Sequence, residues 1–266
     1  MTEQMDLNVS GTSTLPGGDY RSVNISGAGR LEGSLRCLSL VISGAGVVSG
    51  DVDCRGKITV SGSGTVNGNV RCEGQFSSSG AAKIRGTLEA AGLQVSGSCE
   101  LDRDCTVQRR LEASGAAKFG GAVQANSIVF SGATTCGADV SAEDFRCSGI
   151  CRIPGLLNAE NVEFRLCGDS DVGDIGGSSI LVRPEHKRGL YRFRHNELRT
   201  GTVEGDNVDL EYTVANTVRG NVVRIGPGCK VRRVEFSESL VVSPEAQVKE
   251  QVQVDQRELP EGFAQG

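Results

Sequence analysis

Apolar residues alternate with polar residues along most of the chain, and the alternation recurs with a fixed period of about 17–18 residues. Each repeat holds two pairs of apolar residues spaced two apart, such as Leu40 with Ile42 and Val52 with Cys54. A further apolar position, Val48 in this repeat, stands between the two pairs. Residues two apart share one face of a strand, so each repeat predicts about three short strands with one apolar face. The pattern lacks a 3.6-residue period, and its many glycines disfavour helices.

A Ser-Gly dipeptide marks the same point of each repeat. Its copies recur with the period of the apolar pattern, and such self-similarity at one short period is typical of solenoids. Because glycine tolerates the positive φ of sharp corners, the glycines predict corners between strands. The copies are Ser10-Gly11, Ser26-Gly27, Ser43-Gly44, Ser61-Gly62, Ser79-Gly80, Ser96-Gly97, Ser114-Gly115, Ser131-Gly132 and Ser148-Gly149.

One repeat cannot bury its own apolar face, so the repeats are expected to be stable only as a stack. Stacked parallel strands lie about 4.8 Å apart, and each apolar position of the repeat then forms an inward column. Each buried aliphatic side chain contributes about 1.5–3 kcal/mol, which helps to offset the ordering of a short repeat. The sequence therefore predicts an all-β parallel β-helix with about 17–18 residues per turn. The general preference for right-handed crossovers favours a right-handed one.

The regular pattern changes twice toward the C-terminus. Residues 1–182 are predicted to form the main β-helical array, and residues 183–200 interrupt it as a basic linker. Apolar alternation returns in residues 201–254, which predict a second and shorter β-helical array. Residues 255–266 are predicted to be a polar tail. The sequence leaves open whether the two arrays stack on one another.

The composition fits a thin solenoid interior. Of the 266 residues, 38% are hydrophobic and 4% are aromatic, and 37 are glycine. The net charge of −5 argues against general affinity for nucleic acid. The chain shows neither a basic start followed by an apolar stretch nor an uninterrupted apolar run long enough to span a bilayer, so no signal peptide or membrane span is predicted. Ten cysteines then favour a reducing compartment, and a cytoplasmic location is expected.

The most specific stretch of the sequence is residues 202–236, which contains Glu204-Gly205-Asp206, Arg219-Gly220-Asn221 and Gly226-Pro227-Gly228-Cys229. Together with the repeats of residues 10–182, it resembles the bactofilins, the polymer-forming bacterial cytoskeletal family, and among them the bactofilin-like proteins of Gram-positive bacteria. The resemblance implies a right-handed parallel β-helix that assembles end to end into filaments without nucleotide. It also implies a scaffold at the membrane that positions partner proteins for cell shape, envelope or motility.

The two ends of a parallel β-helix expose strand groups without partners, and such edges pair with other chains. We therefore expect self-association through apolar residues of the end turns. An alternative is that polar tails cover both ends, which would leave a binding scaffold that does not polymerise. The predicted self-association residues are Leu7, Val9 and Leu15 in the first turn and Val248, Val252 and Val254 in the last.

Residues 183–199 carry six basic side chains against two acidic ones, together with both histidines, His186 and His195. Such a stretch is a candidate contact for a membrane surface or a membrane-associated protein. Because the basic excess is mild, a solvated connector is the favoured interpretation. The candidate contact residues are Arg183, Lys187, Arg188, Arg192 and Arg194.

No catalytic, cofactor or metal site is predicted. Cys37, Cys54 and Cys72 share one inward column in which other repeats carry Ala or Val, so they are expected to be small buried hydrophobes. Structural zinc would need four converging ligands, which the cysteine spacing does not supply. Hexapeptide acyltransferases also form parallel β-helices and often use a histidine base. Here both histidines lie in the linker and the period is not a strict hexad, so an enzyme is the less favoured alternative.

Overall fold

The computed structural model describes residues 5–185 and 196–255 of the chain. Every regular element in these residues is a β-strand, and none of them is helical. The strands pair in parallel and form a β-solenoid of about 14 turns, which confirms the predicted fold class. The chain divides into two compact units. Unit 1 comprises Met1–Asn126 and Gly132–Gly137, and unit 2 comprises Ser127–Ser131 and Ala138–Gly266.

Unit 1 consists of short strands separated by corners. Its strands are β1 (Leu7–Val9), β2 (Thr12–Asp19), β3 (Ser22–Ile25), β4 (Ala28–Ile42), β5 (Ala45–Val48), β6 (Val52–Val60), β7 (Ser63–Val66), β8 (Val70–Ser78), β9 (Ala81–Ile84), β10 (Leu88–Val95), β11 (Ser98–Leu101), β12 (Cys105–Ala113), β13 (Ala116–Phe119), β14 (Val123–Phe130), which contributes to both units, and β15 (Ala133–Cys136).

The inward side chains of unit 1 form continuous columns. Leu31 pairs with Val48, Val48 with Val66, and Val66 with Ile84, each from one turn to the next. All four side chains are buried, with at most 6% of their surface exposed. The predicted stacking of equivalent residues is therefore confirmed, and the core of the unit is the sum of such columns.

The Ser-Gly glycines also stack, but the reason why glycine is required at these corners differs from the one expected. None of them has a positive φ; among the described residues, positive φ occurs at Gly18, Gly33, Gly228 and Tyr212. Instead, a Cβ on Gly80 would collide with the carbonyl oxygen of Gly62 in the preceding turn. Successive corners thus approach too closely for any side chain, and the expectation of positive φ at these corners is wrong.

At a second column of corners, amide and carboxylate oxygens of side chains accept hydrogen bonds from backbone N–H groups of the following turn. The Asn69 backbone N–H donates to Asp51 Oδ1 at 2.7 Å, and the Thr87 N–H donates to Asn69 Oδ1 at 2.9 Å. The same arrangement recurs between Asp104 and the N–H of Ala122 at 2.8 Å. Each side chain thereby satisfies a backbone donor of the following turn, as a capping residue does in a helix.

Unit 2 has longer strands, which pair in parallel in chain order. Its core includes a stack of rings, in which the centroids of Phe130 and Phe145 are 5.6 Å apart and those of Phe145 and Phe164 are 5.4 Å apart. Beyond β14, its strands are β16 (Val140–Cys147), β17 (Ile150–Leu166), β18 (Ser170–Pro184), β19 (Leu198–Leu210), β20 (Thr213–Ile225), β21 (Lys230–Val242) and β22 (Gln247–Gln253).

The strands on either side of residues 186–195 are direct neighbours within unit 2. Ser170 of β18 pairs with Leu198 of β19, and Ile180 pairs with Val208. The turns before and after the predicted linker therefore stack on each other, which the sequence had left open. The predicted division into arrays and linker at residues 183–200 stays a prediction.

Candidate functional site

The first turn of unit 1 forms an edge, because β1 pairs with β3 and β2 with β4, and the described residues provide no strand on their other side. Leu7 stacks on Val23 and Leu15 on Leu31, so both end an apolar column. Leu7 and Leu15 are half-buried, whereas Val9 is only 3% exposed. Two of the three predicted residues therefore still present apolar surface at this edge.

Polar groups partly protect the same edge. Pro16 lies in β2, where it lacks the N–H that a partner strand would need, and its carbonyl accepts the Tyr20 hydroxyl at 3.1 Å. Asp6 accepts hydrogen bonds from the Arg21 guanidinium and, at 2.7 Å, from the Ser22 hydroxyl. These donors, Arg21 first, hold the pKa of Asp6 well below its usual range. The edge thus combines apolar column ends with local ion pairing.

The last strand of unit 2, β22, pairs with β21 and continues few of its apolar columns. Val248 stacks on Val231, which is 2% exposed, but Val252 lies beside Glu235. The Val254 N–H donates to the carbonyl of the preceding turn at 2.9 Å. The three predicted valines are half-buried, so each retains some exposed surface. Their role in self-association stays a prediction.

Leu240 and Val242 end two further apolar columns, which the sequence reasoning did not assign to the edge. Leu240 stacks on Val223 and Val242 on Ile225, and the described pairs between β21 and β22 do not reach them. Both are half-buried, and the adjacent Val241 is 60% exposed. The alternation at Leu240 and Val242 was visible in the sequence, but its position at an edge depends on where β22 ends.

The two most specific sequence motifs stack on one another. The first motif, Glu204-Gly205-Asp206, lies in β19, and the second, Arg219-Gly220-Asn221, lies in β20. Glu204 pairs with Arg219, and Gly205 pairs with Gly220. Arg219 Nη1 lies 3.6 Å from Glu204 Oε2, and Asn221 Nδ2 donates to Asp206 Oδ1 at 3.1 Å. The glycines allow close approach, since a Cβ on Gly220 would contact the Gly205 carbonyl. The conspicuous motifs are therefore two turns of one structural unit.

Glu235 is the centre of an ion-pair ladder on the C-terminal strands. It accepts hydrogen bonds at 2.6 Å from both Arg219 and Arg233, and Arg233 also donates to Glu250 at 2.7 Å. Burial opposes ionisation of Glu235, but the two arginines outweigh it and lower its pKa. The ladder thus favours the ionised form of Glu235.

The third motif, Gly226-Pro227-Gly228-Cys229, forms a corner over Tyr212. Gly228 has a φ of 73° and Tyr212 one of 47°. The Tyr212 N–H donates to the Pro227 carbonyl at 3.0 Å, and a Cβ on Gly228 would collide with the Tyr212 ring. Here glycine is needed both for its backbone conformation and for space.

The candidate basic contact is represented in the described residues by Arg183 alone. Its guanidinium donates to Asp209 and lies 3.5 Å from Glu211 Oε1, so unit 2 already neutralises it. The remaining predicted contacts and both histidines lie outside the described residues; they are His186, Lys187, Arg188, Arg192, Arg194 and His195.

None of the ten cysteines, all of which the structure describes, is in a disulfide, and nine of them are buried. Among the described residues, no group of three or more histidine, cysteine, aspartate or glutamate side chains is arranged to hold a metal ion. The described residues also contain no helix with the length and apolar character needed to cross a bilayer. The two edges described above are the candidate functional surfaces, because apolar columns end there half-buried.

Comparison with known proteins matches the chain to a family. The model of the bactofilins, described as polymer-forming cytoskeletal proteins, matches residues 4–82 and 48–141, which together make up just over half of the chain. Two uncharacterized proteins of Bacillus subtilis (strain 168) are similar: YhbF is 36% identical over 101 residues and YhbE 38% identical over 103. These segments span 42% of YhbF and 43% of YhbE, and 38% and 37% of this chain. No solved structure matches the chain.

Proposed function

Because the chain belongs to the bactofilin family of polymer-forming cytoskeletal proteins, we propose that it is a cytoplasmic scaffold that assembles end to end into filaments without nucleotide. The observation that supports this most directly is that apolar columns end half-buried where the described strands lack a partner on one side. These column ends are Leu7 and Leu15 on β1 and β2, and Leu240 and Val242 on β21.

The physics of the stack explains how such edges would join. A neighbouring molecule that adds one more turn would cover the column ends and satisfy strand N–H and carbonyl groups. Covering a half-exposed aliphatic side chain contributes less than the roughly 1.5–3 kcal/mol of full burial. Several column ends and strand hydrogen bonds must therefore act together to offset the entropy lost on association.

A scaffold role requires no chemistry beyond this assembly. The protein is proposed to act by positioning partner proteins or a membrane surface along the filament, and not as an enzyme. Its basic stretch, residues 183–199, is the proposed contact for such partners. Arg183 is expected to contribute less to this contact than its charge suggests, since Asp209 and Glu211 already pair with it.

The test is electron microscopy and sedimentation of the purified full chain over a range of concentrations without nucleotide. Leu240→Lys and Val242→Lys should abolish filaments, because each places a charge where an apolar column would continue. Val222→Lys is the matched control, since Val222 is 38% exposed within β20 and away from the edge. Filaments that persist in both edge variants would show that this edge is not the interface.

A scaffold that does not polymerise is the second candidate, and specific observations favour it. Pro16 interrupts the donor pattern of β2, and Gln251 of β22 stacks on the buried Val234, so polar or blocking groups stand at both edges. Such features protect solenoid ends from pairing. A particle that stays monomeric at every concentration in the experiment above would support this candidate.

A further inference from the structure

The two edges of the described chain stop at matching points of the repeat. Leu7 of β1 stands three residues before the serine of its Ser-Gly dipeptide. Leu240 ends the column that runs through β20, β19, β18 and β17 to Phe145, which also stands three residues before a Ser-Gly serine. By the same register, Val9 and Val242 occupy one further position of the repeat. Among the described residues, the last turn lacks a strand at these two positions, and β1 is such a strand.

The next positions of the two edges match as well. Leu15 lies five residues after its Ser-Gly serine, and Val248 ends the column of that same position in unit 2. Nine residues after the serine stand Gly18 at the first edge and Gln251 at the last. A Cβ on Gly18 would meet only the Tyr20 ring, at 3.7 Å, so space is open beside it. A long side chain at one edge thus corresponds to a residue without a side chain at the other.

The backbone groups at the two edges are complementary. Between successive turns, the Ser-Gly serine donates its N–H to the carbonyl that precedes the dipeptide one turn earlier, as Ser26 does to Val9 at 2.9 Å. In the C-terminal turns, the Ser243 N–H donates to the preceding turn in the same way, at 2.8 Å. The equivalent donor at the first edge is the Ser10 N–H, and the equivalent acceptor at the last edge is the Val242 carbonyl. The described residues supply no further turn for either group.

We propose that copies of this chain join head to tail, with the first turn of one copy stacked in parallel on the last turn of the next. This joint rests on the filament proposed above and specifies its geometry. Stacking in register places Leu7 on Leu240, so each apolar column continues into the neighbouring copy, and the Ser10 N–H can donate to the Val242 carbonyl. A joint between two identical edges would pair strands antiparallel and would not bring these matched positions together.

The outward side chains of the joint bring no like charges together at the positions that the register aligns. Val241, which is 60% exposed, also loses part of its apolar surface to water contact there. The outward pairs are Asn8 over Val241, Thr14 over Gln247 and Asp19 over Val252.

Pro16 weakens this joint by one hydrogen bond. Six residues after each Ser-Gly serine, a backbone N–H donates to the preceding turn, as Ser49 does to the Leu31 carbonyl at 2.9 Å. Pro16 holds this position in the first turn, so the Val248 carbonyl gains no donor from it. Pro16→Ala should lower the critical concentration for filaments about two- to tenfold, the equivalent of one net hydrogen bond. Pro154→Ala, at the same position of the repeat but inside unit 2, is the matched control and should leave it unchanged.

The decisive test is disulfide crosslinking between two variants of the full chain. Leu7→Cys and Leu240→Cys are mixed, assembled, oxidised with copper–phenanthroline, alkylated and mapped after digestion with trypsin. Stacked strands lie about 4.8 Å apart, within the Cα separation of roughly 4.4–6.8 Å that disulfides accept. The tryptic peptides that carry the new thiols, residues 1–21 and 234–249, contain no native cysteine. We expect a bridge between these two peptides.

The column order supplies the controls. Leu15→Cys mixed with Val248→Cys should also bridge, whereas Leu7→Cys with Val248→Cys should not, because these two residues belong to different columns. Filaments that lack a bridge between peptides 1–21 and 234–249, or that link two copies of one peptide, would overturn the head-to-tail joint and leave the proposed filament standing. A particle that stays monomeric at every concentration would overturn both. Where a cysteine variant fails to assemble, Pro16→Ala decides, since an unchanged critical concentration contradicts the joint.

Discussion

Two regions of the molecule stack parallel turns by different means. In the glycine-cornered turns, residues 22–119 of unit 1, backbone corners touch so closely that no side chain fits between them. In the C-terminal turns, residues 198–253 of unit 2, long strands are tied by ion pairs such as those of Glu235. One turn also takes more residues in the former, where Val52 pairs with Val70, than in the latter, where Val208 pairs with Val223.

The difference shows that the stacking of one solenoid turn on the next can be set by steric exclusion at glycine corners or by attraction between charged side chains. A steric corner tolerates almost no substitution, but it does not depend on pH or salt. A ladder of arginine and glutamate tolerates a change of turn length, because long side chains adjust, yet it depends on protonation and screening. Single substitutions in each region separate the two modes of stacking.

Gly80→Ala should be the most damaging change to the glycine-cornered turns. Its Cβ would collide with the Gly62 carbonyl, and overpacking of this kind costs about 1–3 kcal/mol or more. Gly11→Ala is the matched control, since Gly11 belongs to the same Ser-Gly series but has no atom within 4 Å of an added Cβ. Urea unfolding should show a large decrease in the free energy of unfolding for Gly80→Ala and little change in it for Gly11→Ala. Equal decreases in the two variants would refute the steric explanation.

Gly228→Ala tests a corner of the C-terminal turns where glycine is needed partly for conformation. A residue with a side chain at a φ of 73° costs about 1–2 kcal/mol, and contact with the Tyr212 ring adds to this. In a Tyr212→Ala background the steric part should disappear while the conformational cost remains. If the double-mutant cycle shows no coupling, the ring does not constrain this corner.

Asn69→Ala tests the side-chain caps that accompany the steric corners. The variant removes the acceptor of the Thr87 N–H, and the loss of a comparable cap costs about 1 kcal/mol. Asn24→Ala, at an exposed position of β3, provides a comparison with the same change of side chain. A similar urea midpoint for both variants would argue against a capping role for Asn69.

Glu235→Gln should have the smallest effect at neutral pH, about 0.2–1 kcal/mol, because ion pairs near the surface are weak. The arginines lower the pKa of Glu235 in the folded chain, so its contribution is fully present above the ordinary glutamate pKa. It is lost as the pH falls through the lowered value. Acid should therefore reduce the difference in unfolding free energy between the wild type and Glu235→Gln, whereas a constant difference would contradict the linkage.

Much of the architecture was predictable because alternation reports the face on which a side chain lies. The inward column of Leu31, Val48 and Val66 followed from spacing alone, as did the column of Cys37 and Cys54. The role of the Ser-Gly glycines was not predictable, because the close approach of corners arises only when one turn lies on another. The caps formed by Asp51 and Asn69 were missed for the same reason, although an Asp or Asn recurred at one point of the repeat.

The period, the strand faces and the membership of each column follow from the amino-acid sequence alone, since these depend on residues a fixed distance apart. The structure was needed to show which column ends stay uncovered among the described residues and that β18 and β19 are neighbours. Exposure at an edge depends on how far the next strand extends, so Leu240 and Val242 could be recognised there only once β22 was seen to end short of them.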